Sequence, residues 1–265
     1  MEAILQIENV SFRHPQSSDK AAPALDRVSL EIQRGEWVAV VGANGAGKTT
    51  LARHLNALLK PTTGRVLVNG LDTRVSQNLP AIHSLVGMVF QHPENQIVAT
   101  TVEEDVAFGP ENLALSPAVI RERVDEALTA VGIDALRTRA PHLLSAGQIQ
   151  RVALAGILAM RPQVIIFDES TAMLDPAGRH DVMSMLEALN RQGLTLVMIT
   201  HYMDEAARAG RVVALEHGHI ALDGTPQQVF SDEAALAALG LEPPPVVRLA
   251  NELRLFLPAI PAGLI

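Results

Sequence analysis

The chain of 265 residues contains no cysteine, which excludes disulfide frameworks, thiolate zinc sites and cysteine nucleophiles and agrees with a reducing compartment. It also has no apolar run near the roughly 18 residues that a membrane-spanning helix needs. Residues 1–8 show no basic segment ahead of an apolar one, so no secretion signal is predicted. An integral membrane protein or a secreted protein is therefore not expected.

Basic charge and aromatic rings are scarce as well. Lysine and arginine total 21 against 29 acidic residues, a net charge of −8, which argues against a diffuse basic surface for long nucleic acid. Six phenylalanines, one tryptophan and one tyrosine are present, so few rings could stack on a base. Because 48% of the residues are hydrophobic, the chain can bury a substantial core, and disorder is excluded.

Short apolar runs alternate with helical periodicity, and this alternation predicts an α/β fold in which helices cover a mostly parallel sheet. Buried strands are predicted at residues 37–41, 85–90, 164–167 and 194–199. Helices are predicted at residues 49–59, 118–131, 145–160 and 179–191.

The stretch 92–160 contains no convincing strand and separates two strand-rich parts, so we predict a helical insertion there. The predicted division is an α/β core at 1–91 and 161–225, a helical subdomain at 92–160 and a C-terminal extension at 226–265. A hairpin turn is expected at 216–219, and a helix after 224–226. The apolar end, 253–265, should fold back or meet a partner.

A glycine-rich loop with the pattern G-x4-G-K-T occupies residues 42–49, between a predicted strand and a predicted helix. Glycines allow a tight turn in which backbone N–H groups face an anion, and the helix N-terminus adds a positive dipole end. Lys48 is then placed to reach the β- and γ-phosphates of a nucleotide, and the Thr49 hydroxyl to bind Mg²⁺. A glycine turn without function is the alternative, and the combination of strand, lysine and helix disfavours it.

Two carboxylates, Asp168 and Glu169, end the predicted strand at 164–167. Ligands bind at the carboxyl ends of strands in open α/β sheets, so Asp168 is predicted to hold Mg²⁺. Glu169 projects differently and is a candidate to orient or deprotonate a water that attacks the γ-phosphate. Two acidic residues after a strand are also typical of a solvated turn, but the presence of the phosphate-binding loop favours a metal and nucleotide site here.

Residues 144–148, Leu-Ser-Ala-Gly-Gln, followed by Arg151, resemble the L-S-G-G-Q signature of ABC-type ATPases. An N-cap serine on an ordinary helix is the structural alternative. Four further segments, however, occur in the order that this family uses: residues 9–15, Gln91, Leu174-Asp175 and His201. The resemblance covers residues 1 to about 230. It implies a phosphate-loop NTPase core of ABC type with a helical subdomain insertion and a short C-terminal extension.

The resemblance implies ATP and Mg²⁺ as ligands and assigns roles to particular residues. Lys48, Gln91, Glu169 and His201 are the implied catalytic residues, and Thr49, Gln91 and Asp168 the implied ligands of Mg²⁺. The implied nucleotide contacts are Phe12 or His14 against adenine, the loop Gly42, Ala43, Asn44, Gly45, Ala46, Gly47, Lys48 and Thr49 with Thr50, and the signature residues Ser145, Ala146, Gly147 and Gln148.

The family pattern further implies an ATP sandwich, in which each ATP lies between the phosphate loop of one chain and the signature of another. Residues 89–96, 101–109 and 168–176 are similar to the ATPases of energy-coupling factor transporters, including cobalt and nickel importers. That similarity implies three partners: a second ABC ATPase chain, identical or paralogous, a transmembrane coupling protein, and a substrate-binding membrane protein. It also implies vitamins or transition-metal ions as cargo, and a peripheral position on the cytoplasmic face of the membrane. No nucleic-acid partner is expected.

Two regions of the chain are expected to meet these partners. The coupling protein's helices should dock around residues 91–96, and the tail from Glu242 onward should contribute to dimer contact.

Two positions depart from the family pattern. Ala146 replaces the first signature glycine, and since alanine has little access to positive φ, a modest change in loop conformation or affinity is expected. His14 stands where a tyrosine usually stacks on adenine, and imidazole offers a smaller area.

The predicted function is therefore ATP hydrolysis that energises an energy-coupling factor importer. One alternative is a non-transport ABC ATPase acting on nucleic acid or the ribosome, which would typically carry a coiled-coil insertion or two cassettes. Another is a regulatory, non-catalytic ABC subunit, which would lack an acid such as Glu169 or a histidine such as His201. A small-molecule kinase would not need the signature.

Overall fold

The computed structural model describes residues 2–15 and 22–249. Its strands are β1 (Ala3–Phe12), β2 (Leu25–Gln33), β3 (Trp37–Val41), β4 (Thr63–Val68), β5 (Leu71–Asp72), β6 (Val86–Val89), β7 (Val164–Asp168), β8 (Thr195–Ile199), β9 (Arg211–Glu216) and β10 (His219–Gly224). Its helices are α1 (Lys48–Leu55), α2 (Leu79–Leu85), α3 (Val102–Asn112), α4 (Pro117–Ala130), α5 (Ala146–Ala159), α6 (Pro176–Arg191), α7 (Met203–Ala206), α8 (Pro226–Ser231) and α9 (Glu233–Ala238). Across these described ranges every helix is too short or too polar to cross a bilayer.

The strands form two sheets. The larger sheet has the order β10-β9-β3-β8-β7-β6, in which neighbouring strands from β9 to β6 are parallel and β10 is an antiparallel edge. The smaller sheet is antiparallel, with the order β2-β1-β4-β5. The parallel sheet confirms the predicted α/β class, whereas the antiparallel sheet was not predicted.

Strand β3 shows how the layers are stacked, because all five of its residues are buried. Trp37, Ala39 and Val41 belong to one hydrophobic cluster together with residues of α4, α5 and α6. Val38 and Val40 belong to a second cluster, shared with α1 and the antiparallel sheet. Since side chains alternate across a strand, the larger sheet is covered on both faces, which accounts for its near-continuous apolar runs.

The four predicted strands are present to within a residue or two, and so are most helix boundaries. Helix α1 ends at Leu55, four residues before the predicted end, because the Asn56 side chain accepts the N–H of Leu58 at 3.3 Å and Ala57 takes a positive φ of 61°. Helix α6 begins earlier than predicted, at Pro176, after the N-cap residue Asp175.

The β9–β10 hairpin turns at His217 and Gly218, whose φ values of 46° and 82° fit a two-residue turn of the I′ type. This confirms the predicted hairpin. The N–H of Gly218 donates to the carbonyl of Ala46 at 3.0 Å, so the hairpin braces the glycine-rich loop. The apolar end at 253–265 lies outside the described residues.

Between β6 and β7 the chain, which is described throughout this stretch, forms helices and turns only. The parallel order β3-β8-β7-β6 brings the segments after these four strands to one edge of the sheet. Those segments carry the glycine-rich loop, residues 200–202, Glu169 and Gln91. The topology therefore assembles four separate motifs at one edge.

Candidate active site

The glycine-rich loop leaves β3 and enters α1 through Gly47, whose φ is +108°. A Cβ at Gly47 would lie 2.4 Å from the carbonyl oxygen of Ala24, so only glycine satisfies both the conformation and the space. At the start of the loop, a Cβ on Gly42 would lie 2.3 Å from the carbonyl oxygen of Leu215. The loop backbone is thus fixed by its neighbours before any ligand binds.

The Lys48 side chain folds back over this loop. Its Nζ donates to the carbonyl oxygens of Gly42 at 2.8 Å and Ala43 at 3.1 Å. Lys48 is only 5% exposed; burial lowers its pKa, and the charge of Glu169 opposes that change. An anion entering the loop would meet a cation that has already lost most of its water.

Thr49 and Asp168 meet across the gap between α1 and the end of β7. The Thr49 hydroxyl donates to Asp168 Oδ1 at 2.9 Å. Burial raises the pKa of Asp168, and this hydrogen bond opposes the rise. Together with Gln91, both residues line a cleft of about 530 Å³. Hydroxyl, carboxylate and amide oxygens are the hard donors that Mg²⁺ prefers, so the residues present fit that ion.

Glu169 lies at the centre of the site. Its Oε1 lies 2.5 Å from Nε2 of His201 and 3.7 Å from Nζ of Lys48, while Oε2 accepts from Nε2 of Gln91 at 3.3 Å. The other three residues predicted to be catalytic therefore converge on the carboxylate of Glu169. Glu169 also has a positive φ of 52°, a conformation that costs a non-glycine residue about 1–2 kcal/mol and is often found at functional sites.

His14 is exposed and lies beside the start of α1, next to the glycine-rich loop. Its Nε2 lies 3.3 Å from the Thr50 hydroxyl, and both residues line a cleft of about 350 Å³ with Asn44, Lys48 and Glu169. Phe12 is only 6% exposed and contacts His14 and His54 edge to face. Phe12 thus supports the His14 ring and has no open face of its own for a base.

The four signature residues begin α5. Ser145 is the N-cap: its hydroxyl accepts the N–H of Gln148 at 3.4 Å, and the Gln148 side chain accepts the N–H of Ser145 at 3.0 Å. Ser145 and Ala146 are exposed, and none of the four residues lines the two clefts beside the glycine-rich loop. Ala146 is the first helical residue and does not have a positive φ. The change in loop conformation that was expected for alanine is therefore not found.

A basic residue beside the site was not predicted. Arg53 lines the cleft that contains Thr49 and Asp168, and its charge works to lower the pKa of Asp168. The available signal was its spacing, since residues four apart share a helix face. Arg53 lies four residues after Thr49 on α1.

Comparison with known proteins identifies the family of the chain. Residues 25–172 match the family described as ABC transporter. The energy-coupling factor transporter ATP-binding protein EcfA1 of Symbiobacterium thermophilum is 57% identical over 93% of this chain and 88% of its own length. EcfA1 of Clostridium novyi is 50% identical over 96% of this chain and 91% of its own.

Two solved structures are similar in fold. CbiO1 of Clostridium perfringens, described as part of the ABC transporter complex CbiONQ, has a TM-score of 0.81 and 35% identity, covering 95% of this chain and all of that one. The dimeric ATP-binding cassette MJ0796 in a post-hydrolysis state with ADP and Pi has a TM-score of 0.75 and 31% identity, covering 83% of this chain and 98% of that one.

The glycine-rich loop, the paired carboxylates and the signature helix are thus the parts of an ABC-type ATPase, and the chain belongs to the ABC transporter family. Within that family, relatives of 48–57% identity include ATP-binding proteins of energy-coupling factor transporters.

Proposed function

We propose that this chain hydrolyses ATP to energise an energy-coupling factor importer, and that the residues around Glu169 perform the chemistry. The observation that carries the proposal is the convergence of Lys48, Gln91 and His201 on the Glu169 carboxylate. A carboxylate surrounded by three polar groups at a strand end, beside a phosphate-binding loop, is suited to the reaction of water with a phosphate.

In the proposed reaction the backbone of residues 42–49 and Lys48 hold the β- and γ-phosphates. The Glu169 carboxylate orients a water and takes up its proton as the water oxygen bonds to the γ-phosphorus and the bond from phosphorus to the β,γ-bridging oxygen breaks. His201 holds the γ-phosphate in line for this attack. Most of the rate acceleration comes from positioning and charge stabilisation, because phosphoryl transfer needs little covalent help.

Thr49, Asp168 and Gln91 are the proposed ligands of Mg²⁺, which would neutralise charge on the β- and γ-phosphate oxygens when bound. The exposed His14 ring, supported from behind by Phe12, is the proposed surface for adenine. Ser145, Ala146, Gly147 and Gln148 would complete the site of a second chain, since Ser145 and Ala146 are exposed at the start of α5 and leave this end of the helix open to a partner.

The partners we propose are a second ABC ATPase chain, a transmembrane coupling protein and a substrate-binding membrane protein that selects a vitamin or a transition-metal ion. The coupling protein would dock beside the turn Pro93–Gln96, where a cleft of about 460 Å³ separates this turn from the residues that precede α5. We further propose that residues 92–160 form a subdomain, supported by the packing of α3, α4 and α5 on one another.

Glu169→Gln tests the proposal. The variant keeps the size of the side chain but removes the proton acceptor, so ATP should still bind while turnover falls by about 100-fold or more. Glu111→Gln, the same change at an exposed position of α3, is the matched control. ATP binding by calorimetry and phosphate release report the two effects. Normal turnover in Glu169→Gln would show that Glu169 is not the proton acceptor and would contradict the proposed mechanism.

A further inference from the structure

A partly buried polar cluster includes the two residues that flank His201 in the chain. It consists of Thr200, Tyr202, Glu205 and Arg179, and we call it the support cluster. Glu205, on α7, is 1% exposed, and its Oε2 accepts the hydroxyl of Thr200 at 2.5 Å. The same hydroxyl oxygen accepts the N–H of Tyr202 at 3.0 Å. One buried carboxylate therefore fixes the residues on both sides of His201.

Arg179 joins this carboxylate to helix α6. Its guanidinium carbon lies 3.5 Å from the centre of the Tyr202 ring, a cation–π contact, and its Nε lies 3.7 Å from Glu205 Oε1. The backbone N–H of Arg179, in the first turn of α6, donates to the carbonyl of the N-cap residue Asp175 at 2.9 Å. Through Arg179, the support cluster is thus connected to the loop that carries Leu174 and Asp175.

Stability alone does not account for this arrangement. Burial raises the pKa of Glu205, and the hydroxyls of Thr200 and Thr171 and the charge of Arg179 only oppose that rise. Glu205 Oε1 and Arg179 Nε have no hydrogen-bond partner. Buried ion pairs of this kind are often replaced by apolar groups with no loss of stability. Their place behind a residue of the active site points to a role in positioning.

We propose that Glu205 and Arg179 are positioning residues that hold the backbone at His201 and link it to the loop at residues 174–175. Neither residue is required to touch ATP; both act through His201. The inference rests on the role given to His201 in the proposed function. A displacement of the 174–175 loop by a partner chain would then move His201 relative to Glu169.

The first experiment measures kcat and KM of the full-length chain in its assembled ATPase complex. Glu205→Gln keeps an oxygen for Thr200 but loses the charge that faces Arg179. We expect kcat to fall about 10- to 100-fold, the range that a small misplacement of a catalytic group produces, with KM changed less than about twofold. Arg208→Ala is the matched control, because the Arg208 side chain bonds Glu187 on α6 at 2.6 Å. Only the backbone N–H of Arg208, which the substitution keeps, donates to the support cluster, at the carbonyl of Glu205. A kcat equal to that of Arg208→Ala would overturn the inference.

The second experiment separates positioning from general damage to the fold. In a His201→Ala background, Glu205→Gln should have little further effect on kcat, since residues that act through one group are not additive. Additive losses would overturn the inference. If His201→Ala itself left kcat unchanged, both the inference and the proposed role of His201 would be overturned. A loss with His201→Ala but none with Glu205→Gln would overturn the inference alone.

Tyr202 offers a variant at the partly exposed edge of the support cluster, in case Glu205→Gln does not fold. Tyr202→Ala removes the ring from the Arg179 guanidinium and should lower kcat, whereas Tyr202→Phe keeps the ring and should rescue it. Equal kcat values in the two variants would contradict the proposed link through Arg179.

Discussion

At the scale of single residues, His14 is one of the two positions expected to depart from the family pattern. Its ring is exposed beside the glycine-rich loop, and Phe12 supports it edge to face. A larger ring at this position should stack on adenine over a larger area. His14→Tyr is therefore expected to tighten ATP binding by about 2- to 10-fold, the equivalent of about 0.5–1.5 kcal/mol for an aromatic contact.

Calorimetric titration with ATP would measure this change. His83→Tyr, at an exposed position of α2, is the control and should leave the affinity unaltered. An unchanged affinity in His14→Tyr would mean that adenine lies elsewhere.

His54, beneath Phe12, should make stability depend on pH. It is fully buried, its Nδ1 donates to the Thr50 carbonyl at 2.7 Å, and burial lowers its pKa from the ordinary value of 6.5. Between the two pKa values the unfolded chain binds a proton that the folded chain does not. The free energy of unfolding therefore falls as the pH drops below 6.5, by at most about 1.4 kcal/mol per pH unit from this group.

Urea unfolding at pH 7.5 and 5.5 would test this expectation against His54→Asn, in which the amide replaces the Nδ1 donor but does not titrate. The wild-type chain should lose more stability than the variant over this interval. Equal losses would show that His54 is protonated to the same degree in both states.

At the scale of elements, helix α5 is held by the same residue that is proposed to meet a partner's ATP. Ser145→Ala removes the N-cap and should cost about 1 kcal/mol of stability. Thr225→Ala removes the equivalent cap of α8 and should cost a similar amount. Only Ser145→Ala should also lower ATP turnover, because only its hydroxyl is placed to serve a second chain. Thermal unfolding and phosphate release of both variants would measure the two effects, and equal turnover would assign Ser145 a structural role alone.

The fold was predictable where a strand is buried on both faces. Strands β3, β7 and β8 show as apolar runs because the two hydrophobic clusters share their alternate residues. Strand β1 was missed because bulges shift its pairing between Ile7 and Val10 and again before Phe12, which breaks the alternation of a half-buried strand. The other strands of this antiparallel sheet, β2, β4 and β5, were not predicted either.

Some features of the candidate site could likewise be predicted from local sequence and others could not. The glycine-rich loop and the pair Asp168 and Glu169 have fixed spacings in the sequence, so they could be predicted together with their chemistry. The partners of Glu205 could not, since Arg179 lies 26 residues away on another helix and no local pattern joins them. The convergence of Gln91, Lys48 and His201 on Glu169 likewise depends on strand order, which only the folded sheet fixes.

At the scale of the whole molecule, the signature residues lie outside the two clefts beside the glycine-rich loop of the same chain, so the complete site that we propose requires two chains. ATP should therefore bring ATPase chains together, and Glu169→Gln, which binds but does not hydrolyse, should retain the pair. Light scattering after size-exclusion chromatography should give the mass of two ATPase chains with ATP and of one with ADP. A single-chain mass with bound ATP would contradict this arrangement.

The exposed N-cap of α5 also has a genetic consequence. A chain with a defective Ser145 would spoil the site of whichever chain it pairs with, and a chain that also carries Glu169→Gln would spoil both sites of the pair. If the second chain is identical to this one, competent pairs in a cell that expresses normal and doubly altered copies would fall as the square of the normal fraction. Such an altered allele would then be dominant. Transport would fall by more than the reduced number of normal chains alone explains, and the size of this additional loss would give the number of copies of this chain in each transporter.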